Sequence, residues 1–424
     1  MTPSAGHALG YDAAPALSAP LRFFVTAPLF GVVAGLMLLV HPELLESRWT
    51  PGALALTHLV TVGFMLMVMV GALFQILPVV AGAVLPATRV LATIVHGLLG
   101  SGAIALVWGL AAMQPVALTA AVWLLGSGFA TFVAAAAYAL VRAPVPQATP
   151  RDLRLALIAL TIAILLGLTL AMILTGELAL PLFPLLKLHV GWAWLGGVGT
   201  LLAATSWVVV PMFQITPPYP QVLTRFWAMS AVGLLVLWSA AVLGGFPLLE
   251  SALAVALALV AGVFIVTTLH LQRRSRRSTP DTTFRAFQLG MCSLIGGILC
   301  VLAAHHLDHA AWAVLAGVLI LHGGFVSIML GMLYKIVPFL AWLHLTQDKI
   351  KAPNMKKLQP DQPVRRQFHT HVGAFVLLIA AALAATNGLT MFGRLAGLIV
   401  MVEFGWLAWN ILKVLRAYQR ARST

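Results

Sequence analysis

Charge is what this chain has least of. Asp, Glu, Lys and Arg make up 8% of its 424 residues, against about 25% in an average soluble domain. A water-soluble globule of this size could not cover its surface with so few charges, which excludes a cytosolic enzyme, a nucleic-acid binder and a disordered chain. Cysteine is nearly missing too. Cys292 and Cys300 lie eight residues apart in one apolar run, so there is no disulfide framework and no CxxC metal or redox motif. Residues 1–20 contain neither Lys nor Arg and no separate apolar core, so no secretory signal is expected. Walker, Rossmann, HExxH and GxSxG patterns are absent from any plausible context.

What fills the chain is apolar sequence, 61% by residue, with a mean hydropathy of +1.00. It falls into twelve runs, at about 21–40, 53–80, 89–112, 116–141, 155–176, 185–213, 224–244, 249–270, 286–304, 311–341, 372–387 and 391–412. None alternates like a barrel strand, and each is long enough to cross a bilayer as a helix. The reading is an all-α polytopic membrane protein with twelve transmembrane helices. A short tail (1–20) precedes one membrane domain (21–412), and a basic tail (413–424) follows it. The charges sort by side. With the N-terminus placed inside, the two tails, the even-numbered loops and the span ends that flank them hold 21 of the 25 Lys and Arg, and the odd-numbered loops hold Arg48, Lys187 and Arg394. That split predicts both termini on the cytoplasmic side, and a bacterial inner membrane is the expected location. It also makes the net charge of +14 a topology signal rather than a nucleic-acid footprint. The bilayer is the expected partner.

Spans 2, 6 and 10 share a pattern. They read THLVTVGFMLMVMVGALFQILPVV, LHVGWAWLGGVGTLLAATSWVVVPMFQ and LHGGFVSIMLGMLYKIVPFLAW. Each has a His toward its outer half, small residues after it, then an aromatic residue and a Val/Leu-Pro pair. The histidines are His58, His189 and His322, and the prolines Pro78, Pro211 and Pro338. The chain therefore reads as three pseudo-repeats of four helices, roughly 21–141, 155–270 and 286–412. The His-to-Pro distances are 20, 22 and 16 residues, which puts His322 about one turn deeper than His58.

Three four-helix repeats with histidines on helices 2, 6 and 10 resemble subunit I of the haem-copper oxidases. The layout is also similar to the nitric-oxide-response NnrS-type membrane proteins and to short oxidase-subunit-I-like proteins. The resemblance implies that His58 and His322 hold a haem near the outer side and that Arg394 faces its propionates. It also implies what is missing. Span 7 has no histidine, Ala193 stands where the family has a cross-linked Tyr, and Ile320 and Gly324 stand where a second helix-10 His would be. Copper and oxidase-like reduction of oxygen or nitric oxide are therefore not expected. One or two b-type haems are, since no CxxCH attachment site exists, with a quinone, a cytochrome or another membrane redox partner. Electron transfer or a nitric-oxide- or oxygen-related response would follow. The alternative is a proton-coupled secondary transporter of a small molecule or metal.

Other residues carry chemistry on their own account. His189 is a second ligand candidate and an alternative partner for His322. Glu403 lies mid-span in LIVMVEFGWLAW with no charged neighbour in sequence. A carboxylate there is costly and marks a proton site or a hydrogen bond to a cofactor. His305, His306 and His309 form a weaker outer metal cluster in HHLDH. His96, His270, His344, His369 and His371 lie toward the inner ends of their spans, where hydrated or headgroup roles suffice.

Overall fold

The computed structural model describes residues 10–143, 148–307, 310–350, 353–385 and 388–423. Among them, twelve helices are long and apolar enough to cross a membrane: α1 Ser18–Val40, α2 Pro51–Ala81, α3 Thr88–Ala111, α4 Pro115–Arg142, α5 Thr149–Leu174, α6 Leu182–Gln214, α7 Gln221–Gly244, α8 Pro247–Arg273, α9 Thr282–Ala304, α10 Ala311–Gln347, α11 Asp361–Ala384 and α12 Met391–Ser423. The molecule is an all-α polytopic membrane protein. Local chemistry marks the helix ends. Pro51, Pro115 and Pro247 open helices at the first position, where a missing N–H costs nothing. Thr50 Oγ1 accepts from Ala53 N at 3.2 Å, and Asp281 Oδ1 accepts from Phe284 N at 2.9 Å, as N-caps do. Gly82 and Gly245 end α2 and α7 with φ of 65° and 71°, a conformation that suits glycine.

Both chain ends meet on one face, here the terminal face. His344 Nε2 bonds Pro15 O at 2.9 Å and Gln347 Nε2 bonds Tyr11 O at 2.9 Å. Arg422 reaches Asp348 at 3.4 Å. The opposite, distal face carries the loop with His41 and Arg48. α1 and α12 pack backbone to backbone. A Cβ on Gly35 would lie 2.3 Å from Met401 N, and one on Gly397 2.3 Å from Leu39 N. Small residues are what allow that approach.

α2, α6 and α10 form the centre. In α2 and α10, 83% and 72% of the most apolar stretch is buried, against 22% to 50% in the other ten spans. All three converge on a small apolar cavity of about 100 Å³, with Met69, Leu202 and Met329 among its walls. Each also contains a π-helical stretch: Leu59–Leu66, Trp192–Gly199 and Val318–Val326. In every case the proline follows twelve residues after the stretch ends. π stretches are rare and gather at functional sites.

Two helix ends differ most from the hydropathy reading, by eleven residues each. α11 begins at Asp361, eleven residues before the expected 372. Val364, Gln367, Phe368 and His371 are buried at the i, i+3, i+4, i+7 spacing of one helical face, while Arg365, Arg366 and His369 are exposed. The charges on one face concealed the core on the other. α12 continues through the expected tail to Ser423. Ile411 and Val414 stay buried, while Lys413 and Arg416 lie over the Trp409 ring at 5.4 and 5.0 Å.

Candidate functional site

The three repeat histidines fall into two groups. Registered on the prolines, His58 and His189 lie 20 and 22 residues before Pro, and His322 only 16. Four to six residues of helix is about 6–9 Å of depth. The structure follows that arithmetic and pairs His58 with His189. Their ring centroids are 6.4 Å apart and their planes 14° from parallel. His58 Nδ1 lies 2.7 Å from Leu54 O and His189 Nδ1 2.9 Å from Ala163 O. A carbonyl only accepts, so both Nδ1 atoms carry the proton and both neutral rings hold their lone pair on Nε2. No hydrogen bond among the described residues engages either Nε2. Gly167 on α5 makes room for this: a Cβ there would lie 2.9 Å from His189 Cε1.

His322 belongs to the second group, with Glu403 of α12 and His371 of α11. Glu403 and His371 are 0% exposed and His322 7%. His322 Nε2 is 2.7 Å from Glu403 Oε1, and His371 Nδ1 is 2.9 Å from Glu403 Oε2. The two rings stack at 4.6 Å. His371 Nε2 is 2.7 Å from Ser327 Oγ, whose hydroxyl donates to His322 O at 3.2 Å. With that proton committed, His371 Nε2 donates to Ser327, and a single proton is left between His371 Nδ1 and Glu403. Three ligand atoms of this group lie within 4.8 Å of one another, close enough for two imidazoles and a carboxylate to hold one metal ion. His322 Nδ1 is buried without a partner. His322 also lines a cavity of about 150 Å³ that extends to Arg48 on the distal side, between walls that include Leu38, Val60 and Val318.

Arg394 is exposed at the distal end of α12. Its charge helps lower the Glu43 carboxyl below its ordinary value, after Glu43's own backbone hydrogen bond and His41. Arg48 is the cation on the His322 cavity. The side chains of His305 and His306, and all of His309, lie outside the described residues. Around α7, which has no histidine, the space between α6 and α10 is an apolar cavity of about 220 Å³, with Trp194, Trp227, Trp238 and Phe264 among its walls. His371 is the candidate site residue that the hydropathy reading assigned to the hydrated end of its span. The signal that finds it is the 3–4 spacing of Val364, Gln367, Phe368 and His371. No protein-family model matches this chain, and no curated protein matches it.

Proposed function

We propose that this chain is an integral membrane haem protein, with His58 and His189 as the axial ligands of one b-type haem. The observation that carries the reading is the geometry of the pair. Two imidazoles on opposite sides of one ion place their centroids about 6.3 Å apart, from metal–nitrogen bonds of about 2.0–2.1 Å and a ring radius of ~1.1 Å; this pair sits at 6.4 Å. The donor set fits as well, because each Nδ1–H is tied to a backbone carbonyl and so orients a free Nε2. Held by His58 and His189, a haem iron would supply one-electron transfer. It departs from the resemblance to oxidase subunit I, which implies ligands on helices 2 and 10 rather than on helices 2 and 6. A quinone or cytochrome of a bacterial inner membrane is the redox partner proposed, with both chain termini cytoplasmic. A second reading, a proton-coupled transporter, is favoured by the buried carboxylate of Glu403.

The test is a haem stain and a reduced-minus-oxidised spectrum of the purified protein. The expected result is a six-coordinate low-spin haem that H58A and H189A each convert to high spin or lose. A spectrum lost in H322A but kept in H189A would return the assignment to His58 and His322. Protein without haem would put the transporter first.

A further inference from the structure

We propose that α10, α11 and α12 enclose a proton path, running from the distal cavity beneath Arg48 through His322, Glu403, His371 and Ser327 toward Tyr334 and Asn410. This goes beyond the haem reading and does not depend on it.

Its first part is an unbroken chain of hydrogen bonds: His322 Nε2 to Glu403 at 2.7 Å, Glu403 to His371 Nδ1 at 2.9 Å, and His371 Nε2 to Ser327 Oγ at 2.7 Å. The two imidazoles and the carboxyl can each take a proton on one atom and release one from another, and Ser327 does both on its one oxygen. In the starting state the Glu403 proton is on Oε2, shared with His371, and His322 carries its proton on Nε2. A proton arriving at His322 Nδ1 releases the Nε2 proton to Glu403 Oε1. Glu403 passes the Oε2 proton to His371 Nδ1. His371 gives its Nε2 proton to Ser327 Oγ as the Ser327 hydroxyl turns away from His322 O and gives its own proton to a water on the terminal side. One proton enters, one leaves, and no electron moves. Rotation of the rings and the carboxyl resets the chain.

Its second part is the polar column below. α10 and α12 run from the distal to the terminal face, and α11 runs back. Gln367 lies four residues before His371, about 6 Å nearer the terminal face. Tyr334 and Asn410 follow Ser327 and Glu403 by seven residues each, about 10 Å. Asn410 Nδ2 donates to Tyr334 O–H at 2.9 Å, and Gln367 Nε2 to Glu403 O at 3.2 Å. Tyr334 is followed directly by Lys335, which is paired with Asp281 at 2.6 Å near the terminal face.

Three of the buried atoms without a partner lie along this line: His322 Nδ1, Gln367 Oε1 and Asn410 Oδ1. All three are acceptors. Each calls for a donor, and water is the donor that fits between such groups. A helix contact would need one polar pair. Seven buried polar residues strung along three spans, with an entry cavity at one end, exceed what packing needs and carry a cost that function must justify.

The test reconstitutes the purified full-length protein in lipid vesicles with a trapped pH dye. A potassium gradient with valinomycin imposes the potential. Wild type should take up protons at least about tenfold faster than protein-free vesicles. E403Q, which keeps the shape but cannot relay a proton, should fall to the protein-free rate, and E403D should keep a measurable part. Should E403Q not fold, N410L interrupts the column away from the cluster and should slow uptake several-fold. Wild-type uptake at the protein-free rate, or equal uptake by wild type and the folded Gln or Leu variant, would overturn the proposal. A metal ion bound in stoichiometric amount by His322, His371 and Glu403 in the purified protein would overturn it too. The readout is proton movement, so protein that lacks haem leaves this test intact.

Discussion

The His58–His189 pair and the His322–Glu403–His371 cluster use the same side chain in opposite ways. In the pair each imidazole gives its N–H to a backbone carbonyl. A carbonyl never returns a proton, so the tautomer is fixed and Nε2 is held as a permanent lone pair. In the cluster the imidazoles face a carboxylate, which takes and returns protons, so the tautomers can exchange. In the readings proposed above, the pair ligates and the cluster transfers. What surrounds them differs in the same sense. The pair is partly accessible and rests on main-chain atoms, whereas the cluster is closed and each of its members depends on the others.

That contrast can be broken by deleting one partner on each side. Glu403→Leu leaves His322 Nε2 and His371 Nδ1 without a partner in a closed site. It should destabilise the protein by roughly 3 kcal/mol, since each unsatisfied buried group costs about 1–3 kcal/mol. His189→Ala removes one hydrogen bond to a carbonyl and should cost about 1 kcal/mol, while abolishing the low-spin spectrum. Thermal unfolding in detergent checks both. Equal losses in the two variants would mean that the pair is as much a structural element as the cluster.

Much of this was legible in the sequence, and the gaps have physical causes. The twelve spans are a matter of apolar length, which hydropathy reads directly. Glu403 stood out because nothing near it in sequence could pair with it. Its partners could not be read, because they arrive from 32 and 81 residues away through helix packing. The depth of His322 was already present in the spacing to proline, but a π stretch leaves no mark in hydropathy, so the sequence paired His322 with His58 or His189 and did not pair His58 with His189. His371 was obscured because α11 opens with an amphipathic turn that a hydropathy window scores as loop.

The pair can be sharpened without touching either ligand. A methyl group added at Gly167 would meet His189 Cε1 at 2.9 Å. The ring is held by Ala163 O, so it must tilt and weaken that bond, which is worth about 1 kcal/mol. Alanine in place of glycine in a helix returns roughly 0.5–1 kcal/mol, so the melting temperature should barely move. Haem occupancy or the low-spin spectrum should move in Gly167→Ala. Gly262→Ala is the control, since a Cβ there meets nothing within 4 Å. Identical spectra in both variants would show that the His189 ring orientation is not what positions the ligand.

The smallest effect expected on proton uptake is at Asp281, a carboxylate near the end of the proposed path and just outside α9. Burial works to raise its pKa. The hydrogen bond from Lys335, the Phe284 N–H and the charges of Lys335 and Arg277 outweigh burial and hold it below its ordinary value. Lys335 Nζ and Arg277 both reach Oδ2, at 2.6 and 2.5 Å. A carboxyl whose folded pKa lies below its unfolded one stabilises the fold fully above the unfolded value. That stabilisation is lost as pH falls through the folded value. Unfolding temperatures should therefore decline below the ordinary aspartate range in wild type. Asp281→Ala should start lower at neutral pH, by about 1 kcal/mol for the lost N-cap, and show a shallower acid decline. In contrast to Glu403, whose partners are histidines in a closed site, Asp281 is bound by permanent cations, so it is a fixed anchor that exchanges no proton near neutrality. Asp281→Ala should leave proton uptake by vesicles close to wild type, and a loss as large as that of E403Q would extend the path to the terminal face through Asp281 itself.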